Sequence, residues 1–423
     1  MNNKNLNNYF CLLFSLIPVS IIIGSSVSLI NILLIDFSFI FLILYKKEYK
    51  IFSNKIVKLI LFLCLYLLFN SIISKDFLIG AARNFGFVRF GILFLAFNYF
   101  FYEKSFSNKV FAVWTLILLI IVIDVYIESF FGKNILGYGE EYGRRIVSFF
   151  KDEPIVGGYL NALYLIVIGY LFNLINKSSI QYKKIILIFS IFFIVAIILT
   201  GERSNAIKAI LGFLAFYFFN DFFKFKQKIL SLLLLISIIG ILFNGSDFLK
   251  NRYGGQFINP IIATFQSKPI ISTLKTNTEK NLYITTKDGL YYRLYRSGFT
   301  VFKQYPIFGV GNKNYRVETC VPQTKQLYVC NTHPHQIYLE FLAEHGLVGS
   351  LFLFSILFYL IFSKTKIILA SKNYIQIGCL IFLSVSFIPL LPSGAFFGDY
   401  SLTIFWINLS IMYSVGKKTN IFT

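Results

Sequence analysis

Apolar runs of about 17–20 residues recur along the whole chain, each closed by a short polar or basic stretch, and that is the length an α-helix needs to cross a bilayer. Twelve such spans can be drawn, at approximately 9–24, 27–45, 57–73, 86–102, 110–127, 156–175, 185–200, 205–221, 229–244, 346–362, 374–391 and 401–415. With the N-terminus inside, the inner loops carry Lys46, Lys47, Lys50 and Lys55, then Lys104 and Lys109, then Lys177, Lys183 and Lys184. They continue with Lys224, Lys226 and Lys228, with Lys364, Lys366 and Lys372, and end on Lys417 and Lys418. Every second loop is basic, as the positive-inside rule requires, and an even count returns the C-terminus to the cytoplasmic side. The first run begins near Tyr9 without a small-residue cleavage site, so it reads as a retained span.

Composition agrees with this pattern. Hydrophobic residues make up 57% of the 423 residues and aromatics 19%, with a mean hydropathy of +0.70, which excludes an ordinary soluble domain. The expected fold class is an all-α polytopic membrane protein of about twelve transmembrane helices, with no internal repeat at a fixed period. Its organisation is expected to be nine helices over 1–244 with an outer loop at 128–154, a large outer segment over 245–345, and three further helices over 346–423. The large segment is too long to be structureless, and short helices at the outer membrane face are expected there. From Gly245 to Gln336 it holds twelve Lys/Arg against four Asp/Glu, on the side where the orientation rule asks for no positive charge. That excess suits an anionic ligand.

The candidate chemistry is concentrated. The chain has only three histidines, His333, His335 and His345, and all lie in Thr332-His-Pro-His-Gln-Ile-Tyr-Leu-Glu-Phe-Leu-Ala-Glu-His-Gly346. Imidazole is the side chain best suited to exchanging protons near neutral pH. The pattern after Pro334 predicts a helix, with His335 just before it. Charges near spans are costly and usually functional. They include Arg83 and Arg89 at the start of the fourth span, Asp124 closing the fifth, Asp36 within the second, and Arg203 in the short outer turn Thr200-Gly-Glu-Arg203. Cys11, Cys64 and Cys379 sit in apolar spans as small core residues. Cys320 and Cys330 share the outer segment, where an oxidising compartment favours a disulfide that tethers the approach to the histidines.

These residues carry a resemblance. His335-Gln336, nine residues, then Gly346-Leu-Val-Gly349 resembles the His-[Asn/Ser/Gln]-x9-Gly-x-x-[Gly/Thr/Tyr] signature of bacterial O-antigen ligases. Tyr305-Pro-Ile-Phe-Gly-Val-Gly-Asn-Lys-Asn-Tyr-Arg316 is similar to the family's Pro-x-x-Gly-x-Gly segment, and the cysteine pair before Thr-His-Pro-His also resembles it. Phe131-Gly-Lys-Asn-Ile-Leu-Gly137 and Arg144-Arg-Ile-Val-Ser-Phe-Phe-Lys-Asp-Glu-Pro-Ile-Val-Gly-Gly158 resemble the superfamily's outer loop, and Thr200-Gly-Glu-Arg203 its arginine turn. The resemblance runs from about residue 80 to 360. Two positions depart from the pattern: Ile207 stands where Leu is usual, and Gln336 where Asn is usual. O-antigen polymerases share these spans and loops.

The resemblance implies a membrane glycosyltransferase architecture and a donor glycan on undecaprenyl pyrophosphate at the periplasmic face of the inner membrane. His335 is then the general base for a sugar hydroxyl, oriented by His333 or Glu344. Arg203, with Arg293 or Arg296, and Arg89 meet the pyrophosphate charge, joined by Arg145 and Glu153 of the outer loop in substrate binding. Inversion is expected, with no metal or other cofactor. The partners expected are the lipid-linked donor, a lipid A core or lipid-linked glycan acceptor, and membrane lipids, with no nucleic acid. A metal site of His333, His335, Glu340, Glu344 and His345 is the nearest rival, but His335 and His345 stand nearly three helical turns apart. A lipid-linked glycan transporter would share the spans, yet should show inverted repeats and broken mid-membrane helices.

Overall fold

Long apolar runs with few breakers have one stable backbone solution in a lipid environment, the internally hydrogen-bonded helix. The computed structural model describes residues 3–139, 145–151, 153–175, 180–258, 290–321, 328–389 and 391–422, and among these the regular structure is helical. The first eleven helices are α1 (Asn3–Ser15), α2 (Ile17–Ile23), α3 (Ser25–Lys46), α4 (Lys55–Ile72), α5 (Phe77–Gly86), α6 (Val88–Phe100), α7 (Lys104–Phe131), α8 (Val156–Leu174), α9 (Ile180–Leu199), α10 (Arg203–Phe218) and α11 (Phe225–Gly245). After a π-helical stretch, Lys250–Ile258, come α12 (Leu290–Gln304), α13 (Tyr315–Thr319), α14 (Ile337–Phe362), α15 (Thr365–Ser371), α16 (Tyr374–Ser386) and α17 (Asp399–Ser414).

Each of the twelve apolar runs falls on a helix. Nine helical segments among the described residues are long and apolar enough to cross a membrane, whereas α10, α16 and α17 are shorter. Helix α8 is apolar all round and buried over almost its whole length, packed among α7, α9, α10, α16 and α17, so it forms the centre of the bundle. By contrast α11 buries only Ser231 and Leu235 and lies at the periphery.

The segment over 245–345 contains the helices α12 and α13, while Tyr283 and Thr285 lie outside the described residues. The boundary drawn at 345/346 falls inside α14, at a break. Gly346 has φ 63° there, and the Pro306–Gly311 strand of backbone fills the gap. Leu347 and Val348 donate to the carbonyls of Pro306 and Ile307 at 2.8 and 3.1 Å, and Val310 and Gly311 donate to Ala343 and Glu344 at 3.0 and 2.9 Å. A side chain at Gly346 would meet the Ile307 carbonyl, so glycine is required by close backbone approach as well as by φ. The Pro-x-x-Gly-x-Gly segment and the distal glycine of the His–Gly pattern are thus two halves of one joint.

Candidate active site

One end of the helix bundle encloses a cavity of about 440 Å³. It is built from the start of α8, the turn from α9 into α10, the π-helical stretch, the first turn of α12, the residues before α14, and the segment joining α16 to α17. Its charged lining residues are Arg145, Glu202, Arg203, Lys208 and Arg252, with His335 beside them.

The turn at 200–202 is short because Glu202 is used twice. It precedes the first residue of α10, and its carboxylate accepts the Gly157 and Gly158 amides of α8 at 2.6 and 3.0 Å. Asn205 Nδ2 donates to the same carboxylate at 2.7 Å. These are free amides of a helix N-terminus, where negative charge is favoured. Glu202 therefore ties two helices together, and Arg203 is left to face the cavity. Arg203 lies over the Tyr291 ring of α12, 5.8 Å from its centroid.

Two more guanidiniums converge. Arg145 donates to the Pro154 carbonyl at 3.0 Å, and Arg252 Nε donates to the Gly201 carbonyl at 3.1 Å. Burial, then the Arg203 charge, then the Arg145 charge lower the pKa of Arg252, so three like charges repel across a small space. An anion placed among them relieves that repulsion and gains bidentate hydrogen bonds.

His335 is fixed by its backbone. It adopts φ 56°, and its carbonyl accepts the Ser393 amide at 2.9 Å. Gln336 then caps α14, its side-chain oxygen accepting the Leu339 amide at 2.7 Å. Asn, Ser and Gln all offer such an oxygen, which accounts for the variation at this place in the signature. The His333 ring lies 4.0 Å from that of His335, between centroids. Its Nδ1 is 2.9 Å from Thr332 Oγ1 and its Nε2 3.4 Å from the Ser393 carbonyl, which assigns the proton to Nε2. Burial, reinforced by His335 and Lys313, pushes His333 down to about 3, and burial also lowers His335. Both imidazoles are neutral near pH 7, and that of His335 faces the cavity.

The residues singled out from sequence divide. His335, Arg203 and Arg145 line one cavity. His333 touches it through His335. Arg293 and Arg296 share α12 with Tyr291 but do not line the cavity, and Arg252 stands where a further arginine was sought. Arg89 and Glu153 line a neighbouring, more apolar cavity of about 700 Å³, and Arg89 and Arg83 both pair with Asp399 at the start of α17. Glu344 is buried, facing the Tyr315 amide at 3.4 Å, so it supports the joint at Gly346 and does not orient His335. His345 lies apart against Tyr66, 3.3 Å from the hydroxyl. Asp124 accepts from the Ser148 hydroxyl and the Ile135 amide at 2.6 and 2.9 Å, a structural role. Cys320 and Cys330 are disulfide-bonded, and the Thr319 hydroxyl is 3.4 Å from the Asn331 carbonyl, which ties α13 to the residues leading into the His-Pro-His turn. Among the described residues no three His, Cys, Asp or Glu side chains gather as a metal site.

Arg252 and Lys208 went unnoticed in the sequence. Arg252 is the first arginine beyond the C-terminal end of α11, and Lys208 is four residues after Ser204 on α10, one turn further along the helix.

No curated protein matches the chain. Residues 188–354 match the family described as O-antigen ligase, a segment that holds Arg203, Arg252, the disulfide, the His-Pro-His turn and the joint at Gly346. That match, over residues 188–354, supports the resemblance to the O-antigen ligase superfamily.

Proposed function

We propose that the protein transfers a glycan from undecaprenyl pyrophosphate to a sugar hydroxyl at the periplasmic face of the inner membrane, and that its acceptor is lipid A core. The observation that carries this reading is the meeting of one neutral imidazole, His335, with the guanidiniums of Arg145, Arg203 and Arg252 on one cavity. The alternation of basic loops supports cytoplasmic termini and a periplasmic cavity.

The acceptor hydroxyl gives its proton to His335 as its oxygen bonds to the anomeric carbon. The bond from that carbon to the phosphate oxygen breaks on the opposite face, its electron pair leaving with the pyrophosphate, so the anomeric centre inverts. General-base assistance of this kind is worth about 10²–10⁴-fold. The guanidiniums meet charge that is present in the bound donor and grows on the departing phosphate, the place where fixed donors accelerate most. Arginine suits this because its planar fork matches phosphate and keeps its proton.

Joining one lipid-linked repeat to another uses the same groups, since that acceptor also presents a sugar hydroxyl. The family match covers both activities. A clean deletion followed by electrophoresis of the surface glycan separates them. Loss of all chain attached to lipid A core, with lipid-linked polymer retained, supports ligation. A single repeat on the core supports polymerisation. Transfer by purified protein in detergent, where no sealed compartment exists, distinguishes either from a transporter.

A further inference from the structure

Lys208 has no use in the chemistry so far. It follows Arg203 by five residues on α10, which sets it roughly 7.5 Å further along the helix axis, away from the outer turn. Its side chain lines the same cavity yet is only 9% exposed. Among the described residues it makes no hydrogen bond or ion pair. Among the described residues the one carboxylate on the cavity, Glu202, is taken by the Gly157 and Gly158 amides and Asn205. An ammonium held inside an apolar helix bundle without a counter-charge is costly, and such groups mark ligand sites.

We infer that Lys208 binds the lipid-side phosphate of a polyprenyl diphosphate, while Arg203 and its neighbours hold the sugar-side phosphate. The inference rests on the donor reading above and adds the order of the two phosphates along α10. The polyprenyl chain must run into the bilayer and the glycan must reach His335, so the phosphate nearer the lipid lies deeper. Lys208 is the deeper cation, and a point charge on a flexible stem suits a phosphate that takes no part in bond breaking. When the anomeric bond breaks, new charge gathers on the sugar-side phosphate and that on the lipid side hardly changes. Lys208 therefore stabilises bound donor and transition state alike, which lowers KM without raising kcat.

The test uses full-length protein in detergent, with polyprenyl diphosphate and polyprenyl monophosphate, both without glycan, as probes. Lys208→Met should weaken binding of both probes at least about ten-fold, the worth of one charge-assisted hydrogen bond, because both carry the lipid-side phosphate, whereas Arg203→Ala should weaken diphosphate binding much more than monophosphate binding. In transfer assays its KM for donor should rise with a far smaller change in kcat, and Lys208→Arg should recover most of the affinity. Unchanged diphosphate affinity in Lys208→Met overturns the inference. So does a loss confined to glycan-bearing donor, which would mean that the ammonium meets an acidic sugar. Should Lys208→Met fail to fold, wild-type protein decides. Both probes should protect Lys208 from an amine-modifying reagent, since both carry the lipid-side phosphate, and absent protection by either overturns the assignment. If wild-type protein binds no polyprenyl diphosphate, the donor reading itself has failed. If it binds and Lys208→Met binds equally, only this inference has.

Discussion

The guanidinium of Arg203 lies over the ring of Tyr291, 5.8 Å from its centroid, and the edge of the same ring meets His335 at 6.3 Å. One aromatic side chain thus sits between the group assigned to leaving-group charge and the group assigned to the proton. A cation over a tyrosine face is worth about 0.5–2 kcal/mol, enough to hold a long side chain in one orientation. Tyr291→Phe keeps the ring and should transfer glycan at close to the wild-type rate. Tyr291→Ala frees both neighbours and should lower transfer by roughly ten-fold or more, since loss of alignment is felt steeply. Parallel transfer assays on membranes with matched protein levels check this.

Glu202 makes a different kind of prediction. Its carboxylate holds the amides of Gly157 and Gly158, and a side chain at Gly158 would come within 3.0 Å of Asn205 Nδ2. Glu202→Ala leaves two buried amides without acceptors and should cost about 1–3 kcal/mol of stability. Glu202→Gln, which can still accept, should cost less. Thermal unfolding in detergent reads the difference, and the loss should appear with no donor present.

Much of this was legible in the chain. Helix positions followed from run length, the imidazole from its rarity, Arg203 from its place at a span end, and Arg145 from the resemblance of its loop. What escaped depends on approach in three dimensions. Arg252 reaches the cavity because a π-helical stretch folds back over Gly201, and nothing in Asn251-Arg-Tyr predicts that return. Arg293 and Arg296 were candidates through the resemblance, which places a second arginine in the large loop, yet α12 offers Tyr291 to the cavity instead. Arg89 and Glu344 are charged and near the right span ends, but Asp399 and the Tyr315 amide occupy them. The Gly-x-Gly segment, Gln336 and Gly346 look like chemistry in a signature and prove to be backbone carpentry.

The histidine pair carries a pH dependence. Burial lowers His335 from its ordinary value of 6.5, and the base works in its neutral form, so the acid limb of the rate profile should lie below pH 6.5. His333→Ala removes the ring packed on His335 and should move that limb upward toward 6.5. The linkage has the same origin. His333 titrates at 6.5 unfolded and at about 3 folded, so its contribution to stability is complete above pH 6.5 and is lost as pH falls from there toward 3. Rate profiles and unfolding midpoints across pH 4–8 check both parts.

Cys320 and Cys330 should resist thiol labelling in the purified protein until a reductant is added, and then both should label. Closing so short a loop is worth roughly 2–3 kcal/mol at most, so reduction should lower the unfolding temperature without unfolding the helical bundle. Labelling of both before reduction would contradict the tether.

The most direct test of the account sets His335→Ala beside Arg203→Ala in a donor-binding assay and a transfer assay on the same membranes. His335→Ala should bind donor nearly as well as wild type and lose transfer by about 10²–10⁴-fold, because the imidazole acts on the acceptor's proton. Arg203→Ala should lose both, because the guanidinium meets phosphate charge before and during bond breaking. Arg203→Lys should recover only part, a point charge standing in for a bidentate fork. If His335→Ala transfers glycan at near the wild-type rate, the base lies elsewhere and the central claim is wrong.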